Sequence, residues 1–300
     1  MTLGIQEEVL QLRDRVNARL GELVPPEDAP PEQLHKAIRY SLVAPGKRIR
    51  PLMTILTATR LGAEADVSLD PACAIEMVHT ASLIVDDMPF MDDATTRRGK
   101  PANHKVFGED IASLASLELL SRAFGVIARA RGLDDRQRLD LVRLLSDTIG
   151  SEGVIAGQLK DLRAESRTPG AEELKAMYEQ KTGTLFVAAS EAGARIARVP
   201  PDWIEPIRAF AMNMGILFQI VDDLLDRFGT LDSTGKDVGQ DEGKTTLVSV
   251  LGPDAARAEA CHRLEAAERA LDPLGAAGRP LDEMARSLMG PGMSAVLGGS

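Results

Sequence analysis

The side chains in this sequence best suited to chemistry form two clusters of aspartates, each at the end of an apolar run. Carboxylates this close together repel one another, so each cluster needs cations. Oxygen-only ligands suit Mg²⁺, which keeps several waters and takes one or two protein carboxylates together with substrate phosphates. The clusters are Asp86, Asp87 and Asp92 in HTASLIVDDMPFMDD (79–93), and Asp222, Asp223 and Asp226 in FQIVDDLLD (218–226).

Helical geometry would bring each cluster together. Asp222 and Asp226 are four residues apart, so on a helix they share one face, one turn apart. In the first cluster, Pro89 lies between Asp86 and Asp92. Proline disfavours helical geometry at the residue before it and lacks an amide donor. We therefore expect the helix to distort there, so that Asp92 folds back toward Asp86.

Two such clusters facing each other across a helical cavity would suit a diphosphate. Its oxygens complete the Mg²⁺ coordination, and the metal-bound diphosphate becomes a good leaving group. An ester whose carbon can stabilise positive charge could then ionise, provided that a water-poor pocket protects the carbocation. The apolar residues before Asp86 would line such a pocket: Met77, Val78, Ala81, Leu83 and Ile84.

Basic residues in separate groups could bind phosphates. Arginine forks match phosphate oxygens, and lysines act as point charges. Two separate sets of cations would accommodate two diphosphates, which indicates a transferase that joins them. The groups are Lys47, Arg48 and Arg50 in PGKRIRP (45–51), Arg97 and Arg98 after the first cluster, and Lys181 in KTGT (181–184).

Composition limits the partners and the compartment. The 300-residue chain is 44% hydrophobic with a net charge of −10, which argues against nucleic acid or an anionic membrane as the main partner. Cys73 and Cys261 match no ligand or redox spacing, which favours a reduced cytosolic setting. Glu7 and Glu8 lie where a signal peptide would be apolar, and no apolar run reaches membrane-spanning length. We expect a cytoplasmic protein.

Helical periodicity runs through the chain, and no alternating pattern predicts a strand, so we expect an all-α fold. Without a linker, residues 1–300 should form a single domain. In the helix predicted at 171–198, Gly183 costs about 1 kcal/mol relative to alanine and predicts a kink or a close backbone approach. The long helix carrying Asp86 should begin at Asp70–Pro71, and residues 92–105 should form a loop. Further helices are predicted at 3–22, from Pro31 to before Pro45, and at 51–61, 106–131, 134–165 with an interruption near Gly150 and Gly153, 203–228, 244–251, 254–271 and 280–289.

From about residue 40 to 252 the chain resembles the trans-isoprenyl diphosphate synthases, and within them the bacterial geranylgeranyl synthases of carotenoid pathways. The resemblance implies an all-α bundle of ten or more helices around a central cavity, and a homodimer. It also implies that Mg²⁺ is required, with three ions per active site and Mn²⁺ as a substitute. The motifs that carry it are GKRIRP, HTASLIVDDMPFMDD, RRGKPANH, GQLKDL, KTGTLF, FQIVDDLLD and GKDVGQDEGKTT, in the family's order.

The resemblance also implies a role for each matched residue. In that family the allylic diphosphate ionises, the isopentenyl double bond attacks, and the departing diphosphate removes the final proton, so no protein nucleophile is required. Asp86 and Asp92 would bind Mg²⁺ with Asp87 close by, and Asp222 would be the main ligand of the second motif, supported by Asp223 and Asp226. The remaining assignments are Arg97, Lys181, Lys244 and Gln219 for the allylic diphosphate, Lys47, Arg50, His79 and Arg98 for isopentenyl diphosphate, and Thr182 and Gln158 beside the reacting carbons.

Product length should depend on the helix before the first cluster. Ala81 lies five residues before Asp86, which at 1.5 Å per residue is about 7.5 Å. Farnesyl synthases of the family carry a bulky aromatic in this region, whereas Ala81 and Ser82 are small. Met88 and Pro89 match an insertion seen in bacterial geranylgeranyl synthases. We therefore expect geranylgeranyl diphosphate as the product, with farnesyl diphosphate as the alternative; the preferred allylic starter stays open.

Other classes of protein fit the sequence less well. A class I terpene cyclase would replace DDLLD with an Asn/Ser/Glu motif and would not need Lys47, Arg50 and Arg98. A regulatory prenyl synthase subunit would lack aspartates from one motif, and none is missing. A helical interaction protein would not explain paired motifs. GQDEGKTT (239–246) imitates a nucleotide-binding loop, but three residues rather than four separate its glycines and no strand precedes it.

Overall fold

The computed structural model describes residues 2–164, 169–228 and 245–297, and almost all the regular structure there is helical. This confirms the all-α prediction and the expectation of ten or more helices. A π-helical turn, Glu179–Gly183, joins two of the helices. In chain order the helices are α1 Thr2–Leu23, α2 Glu32–Leu42, α3 Ile49–Arg60, α4 Ala65–Asp86, α5 Asn103–Phe107, α6 Glu109–Ala128, α7 Asp135–Ile149, α8 Val154–Ala164, α9 Ala171–Tyr178, α10 Thr184–Ile196, α11 Ile204–Phe228, α12 Leu247–Leu251, α13 Pro253–Ala270 and α14 Arg279–Leu297, with short 3₁₀ turns at Pro201–Trp203 and Asp272–Ala277.

The chain divides into two compact units, Met1–Leu145 and Ser146–Ser300. In the first unit, α4 packs against α3 and α6, and α6 also packs against α2. In the second unit, α11 packs against α10 and α13, and the π-helical turn contacts both α8 and α11. The grouping of residues 1–300 into one domain remains a prediction.

Helix α4 begins earlier than the sequence predicts. It starts at Ala65, so the predicted start at Asp70–Pro71 is wrong, and Pro71 lies inside the helix. Asp70 does not cap a helix; its carboxylate instead accepts a hydrogen bond from Arg19 Nε of α1 at 2.7 Å. Pro71 lies beyond the first turn of α4, so its missing N–H removes one helical hydrogen bond, the one to the carbonyl of Val67. The resulting helix is more than five turns long and ends at Asp86.

Residues 92–105, predicted as a loop, contain a small hairpin and the short helix α5. Strands β1 (Thr96–Arg97) and β2 (Lys100–Pro101) pair in an antiparallel manner. The two residues between them, Arg98 and Gly99, both have positive φ, of 54° and 72°. Such a turn matches the twist of a hairpin. The motif RRGK therefore forms a tight turn, with Arg97 at the end of β1 and Arg98 in the turn itself.

Glycines bring the π-helical turn close to its neighbours. A Cβ on Gly157 of α8 would lie 2.4 Å from the backbone nitrogen of Lys181, and one on Gly215 of α11 would lie 2.8 Å from Gly183 Cα. Real side chains essentially never approach backbone so closely. Gly183 therefore combines a distorted helical turn with a close backbone approach. The sequence predicted a kink or a close backbone approach at this glycine, and the structure has a π-helical distortion together with a close approach.

Two helical segments, Glu109–Ala128 and Pro201–Arg227, are long and apolar enough to cross a membrane by length and composition alone. The expectation that no apolar stretch reaches that length is therefore wrong. Each helix packs against others of its own unit, α6 against α2 and α4, and α11 against α10 and α13. Core helices of soluble proteins meet the same criterion, so the finding is weak evidence for a membrane span.

Candidate active site

The first aspartate cluster lies where α4 ends. The backbone turns back after Asp86, and the N–H of Asp92 donates to the carbonyl oxygen of Asp86 at 2.9 Å. The N–H groups of Met91 and Asp93 both donate to the carbonyl of Met88. The predicted return of Asp92 toward Asp86 is thus confirmed at the level of the backbone. The turn around Pro89 brings the two ends of the motif together.

Arg97 of the hairpin reaches this cluster. Its guanidinium donates two hydrogen bonds to Oδ1 of Asp87, with Nε at 2.9 Å. Burial alone would lower the pKa of Arg97, but the bonds to Asp87 and the charges of Asp86 and Asp92 outweigh it and raise the pKa. The arginine therefore stays charged and compensates the buried Asp87.

Arg50 and His79 form the centre of the set predicted for isopentenyl diphosphate. Arg50 Nη1 lies 3.2 Å from His79 Nε2. Because arginine only donates, we assign Nε2 of His79 as the acceptor and place the ring proton on Nδ1. Burial, followed by the charges of Arg50, Arg98, Arg97 and Arg48, holds the pKa of His79 well below 6.5. A neutral histidine in this tautomer can still donate one hydrogen bond to an anion.

Arg98 completes the contact between the hairpin and PGKRIRP. Its Nη1 donates to the carbonyl oxygen of Pro45 at 3.3 Å. A Cβ on Gly46 would lie 2.8 Å from the same nitrogen, so the absence of a side chain at Gly46 makes room for the guanidinium. A cavity of about 110 Å³ adjoins this contact and is lined in part by Arg97, Arg98 and Lys100. Lys47 of the same motif is exposed.

Arg48 is not part of this surface, so its predicted place in the phosphate cradle is wrong. Its side chain is 0% exposed and forms an ion pair with Glu76 of α4, which is also buried. The backbone of Arg48 has φ 52°, and the residue lies immediately before α3. The hydrogen bonds of Arg48 link the turn to the core, so its side chain does not bind a ligand. Its acceptors are Glu76 Oε1 at 2.6 Å, Asn17 Oδ1 at 2.8 Å, Leu42 O at 2.9 Å and Ala44 O at 2.6 Å.

Lys181 lies in the π-helical turn of the second unit and forms an ion pair with Asp161 of α8. Both side chains are partly buried. Spacing offers a signal for Asp161, because it follows Gln158 by three residues on a helix and so lies near the same face. Gln158 itself is partly buried. The close approach at Gly157 makes the contact between α8 and the turn possible.

The second aspartate motif lies on α11, as predicted, and its three carboxylates differ in environment. Asp222 and Asp226 are one turn apart and partly buried, whereas Asp223 is 4% exposed. Oδ1 of Asp223 accepts from Gln219 Nε2 at 2.9 Å, and Oδ2 accepts from the Tyr178 hydroxyl at 2.6 Å. Thr182 donates to Gln219 Oε1 at 3.0 Å. The sequence offers no signal for Tyr178.

Of the remaining predicted residues, the structure describes Ala81 and Ser82 but not Lys244. Ala81 is fully buried, and its carbonyl accepts from Ser116 Oγ of α6 at 3.1 Å. The hydroxyl of Ser82 donates to the carbonyl of His79 at 2.9 Å. Lys244 lies outside the described residues. The role of Ala81 and Ser82 in product length stays a prediction.

The donor chemistry of both motifs fits Mg²⁺, with one condition. In residues 2–164, 169–228 and 245–297, no three or more His, Cys, Asp or Glu side chains converge as a ready metal site. Mg²⁺ commonly takes only one or two carboxylates and receives its other oxygens from water and phosphates. The residues therefore fit Mg²⁺ if a phosphate ligand accompanies it.

An all-α fold with aspartate motifs on two helices and basic residues beside them is that of an isoprenoid synthase. The Polyprenyl synthetase family matches residues 31–270, and the chain belongs to this family. It is 45% identical over 247 residues to a geranylgeranyl diphosphate synthase of Pantoea ananas, covering 82% of this chain and 80% of that protein. It is 42% identical over 248 residues to a farnesyl diphosphate synthase of Geobacillus stearothermophilus, covering 80% and 82%.

Solved structures agree. A geranylgeranyl pyrophosphate synthetase from Pyrococcus horikoshii matches with a TM-score of 0.85 and 28% identity, covering 96% of this chain and 98% of that one. A geranyltransferase from Helicobacter pylori, complexed with magnesium and isoprenyl diphosphate, matches with a TM-score of 0.85 and 27% identity, covering 96% and 97%. The predicted family and fold are confirmed.

Proposed function

We propose that this protein is a Mg²⁺-dependent trans-prenyltransferase that condenses isopentenyl diphosphate with an allylic diphosphate, head to tail, to give all-trans geranylgeranyl diphosphate. The observation that carries the proposal is that the chain retains both aspartate motifs together with basic motifs. Both aspartate motifs are intact, and each lies in a unit that also holds cations beside it. Farnesyl diphosphate is the alternative product.

The allylic diphosphate is bound by acidic and basic residues together. Mg²⁺, when bound, neutralises the diphosphate and makes it a better leaving group. Asp86 and Asp92 would hold the ion from the first motif, and Asp222 and Asp226 would hold it from the second. The family resemblance implies three ions per active site, with Mn²⁺ as a substitute for Mg²⁺. Arg97, Lys181, Gln219 and Lys244 complete the binding set.

Arg97 and Lys181 exchange partners when the diphosphate binds. In this structure each forms an ion pair with a carboxylate, Arg97 with Asp87 and Lys181 with Asp161. A diphosphate offers stronger acceptors for the same donors. The two carboxylates hold the cations in place so that little side-chain ordering is needed on binding.

Isopentenyl diphosphate is bound in the first unit. Arg50 and Arg98 present their guanidinium groups, and exposed Lys47 adds a point charge. His79 donates from Nδ1 while its Nε2 accepts from Arg50. A neutral histidine contributes direction without further charge. Thr182 and Gln158 lie beside the carbons that react, and the departing diphosphate accepts the proton that is lost.

Product length follows from the small residues on α4. The tail of the allylic substrate extends from the aspartates along α4 past Ala81 and Ser82, and neither obstructs it. The relatives named above include both a geranylgeranyl and a farnesyl synthase. The twenty-carbon product would serve a pathway such as that of carotenoids.

The test is product analysis. Purified protein is incubated with MgCl₂, labelled isopentenyl diphosphate and each of the three allylic starters, and the dephosphorylated alcohols are sized. We expect mainly geranylgeraniol, abolished by EDTA. Mainly farnesol would keep the reaction and overturn the product assignment. No elongation from any starter by folded protein would overturn the proposed function.

We also propose a cytoplasmic homodimer. Leu114 and Leu117 of α6 are 51% and 62% exposed, which is unusual for large apolar side chains that lie together on one helix. A second copy of the chain would cover them, as the family resemblance implies. Light scattering should give twice the mass of 32.2 kDa, and Leu117→Lys should shift the protein toward the monomer. A monomeric wild type at micromolar concentration would contradict this.

A further inference from the structure

A directed chain of hydrogen bonds runs through the second unit. It begins at the backbone of α12 and ends at Thr182 in the π-helical turn. Three of its side chains are buried, with Tyr178 5% exposed, Asp223 4% and Thr182 8%, and Gln219 is partly buried. The bonds run from Leu247 N–H to the Tyr178 oxygen at 3.1 Å, from the Tyr178 hydroxyl to Asp223 Oδ2 at 2.6 Å, from Gln219 Nε2 to Asp223 Oδ1 at 2.9 Å, and from the Thr182 hydroxyl to Gln219 Oε1 at 3.0 Å.

The chemistry of each group fixes the direction of every bond. A backbone N–H can only donate, so the oxygen of Tyr178 accepts from Leu247 and gives its single proton to Asp223. A carboxylate can only accept, so the amide nitrogen of Gln219 faces Asp223. The amide oxygen of Gln219 then faces Thr182. Thr182 must spend its single proton on that oxygen.

Thr182 is therefore held as an acceptor toward anything else that approaches its hydroxyl. The hydroxyl oxygen of Thr182 can accept hydrogen bonds through its lone pairs. Its proton is donated to the amide oxygen of Gln219, which is neutral and does not act as a base. An oriented oxygen dipole of this kind stabilises positive charge developing nearby, and its orientation costs nothing at the moment of reaction. Reversing the amide of Gln219 would turn an N–H toward Thr182 and reverse this polarity.

We propose that Asp223 and Tyr178 are positioning residues that fix Gln219 and Thr182 for reaction at the allylic carbon, and that Asp223 is not a metal ligand. The inference rests on the proposed function. Both oxygens of Asp223 already accept hydrogen bonds. On α11, Asp223 also points about 100° away from Asp222, so it leaves the face that Asp222 shares with Asp226.

Binding of magnesium diphosphate separates positioning from metal ligation. Inorganic pyrophosphate with MgCl₂ serves as the probe, and its affinity is measured by calorimetry without turnover. We expect Asp222→Asn to weaken binding at least tenfold. Asp223→Asn and Tyr178→Phe should stay within about threefold of the wild type. Equal weakening by Asp223→Asn and Asp222→Asn would make Asp223 a ligand and overturn the proposal.

Kinetics with both substrates tests the positioning role. Tyr178→Phe should lower kcat roughly tenfold or more, while the KM values and the Mg²⁺ concentration for half-saturation stay near those of the wild type. Thr182→Val should lower kcat at least as much, and Thr182→Ser should restore most of it. An unchanged kcat in Tyr178→Phe would overturn the proposal.

A double-mutant cycle keeps the test valid if one variant is destabilised. If Tyr178 acts through Thr182, adding Tyr178→Phe to Thr182→Val should cost little further kcat. If the fold-losses of kcat in the two single variants multiply in the double variant, Tyr178 acts independently of Thr182, and the inference is overturned. The proposed function fails separately, if the folded wild type elongates no substrate at all.

Discussion

Replacing Arg48 with methionine should destabilise the first unit more than any substitution among the exposed arginines. Methionine retains the length of the side chain but removes the charge and all donors. Glu76, at 2% exposure, would then be a buried carboxylate without its ion-pair partner. Breaking a buried pair in this way costs about 3–5 kcal/mol, because the remaining charge has lost its compensation.

The structure also predicts how smaller changes at this site should rank. Arg48→Lys keeps the charge, but one ammonium cannot replace a planar fork that reaches four acceptors. Each lost bond to a buried carbonyl costs on the order of 1 kcal/mol, so we expect a loss of roughly 2 kcal/mol. The double variant Arg48→Met with Glu76→Met removes both charges and should recover much of the loss, since apolar replacement of a buried pair is often neutral.

Denaturant unfolding measures these differences, and Arg15→Met provides the matched control. Arg15 also forms an ion pair, with Asp66, but its side chain is 43% exposed and that of Asp66 is 82% exposed, so its loss should cost less than about 1 kcal/mol. An Arg48→Met cost as small as the control would refute the reasoning. The double variant tests it independently, because equal damage in the single and double variants would mean that Glu76 is not the source of the cost.

Three further predictions concern the site. Gly157→Ala should lower kcat by about a hundredfold through displacement of the Lys181 backbone, while Gly170→Ala, whose Cβ would meet nothing within 4 Å, should be neutral in the same assay. Since the pKa of His79 lies below its unfolded value, the unfolded chain takes up a proton first as pH falls below about 6.5. Thermal melts from pH 7.5 to 5.5 should therefore lose stability more steeply in the wild type than in His79→Gln; parallel slopes would contradict this. Ala81→Phe should shorten the product to farnesol, and unchanged geranylgeraniol would exclude Ala81 as a length determinant.

The features that the sequence predicts well are those with local causes. Pro89 breaks the helix within one turn of Asp86, so the return of Asp92 could be inferred from spacing. Glycine disfavours regular helix at any interior position, so a distortion could be expected at Gly183. The repeat of Asp222 and Asp226 requires only that the segment be helical. In each case the physical reason acts over a few residues.

The features that the sequence does not reveal depend on partners distant in the chain. Arg48 looks like one more cation in a basic motif, and its role as a core residue depends on Glu76, 28 positions away. Asp70 looks like a helix cap, but Arg19 of α1 pairs with it instead. Tyr178 carries no local signal because its hydroxyl forms hydrogen bonds with α11 and α12, which are distant from it in the sequence. Side-chain identity limits what each residue can do, and tertiary contacts select among those options.

The arrangement of charge reconciles a net charge of −10 with the proposed binding of two diphosphates. Screening limits the reach of surface charges to about 10 Å, so net charge matters less than the groups close to the ligand. The hairpin at Arg97 and Arg98 and the glycines at Gly157 and Gly183 bring cations next to carboxylates within each unit. A diphosphate with Mg²⁺ would satisfy both signs at once under the proposed function, because its oxygens would bind the arginines and lysines and the metal would bind the aspartates. Without the metal, the carboxylates of the two motifs would repel the diphosphate, so removing Mg²⁺ should abolish binding of the diphosphate as well as turnover.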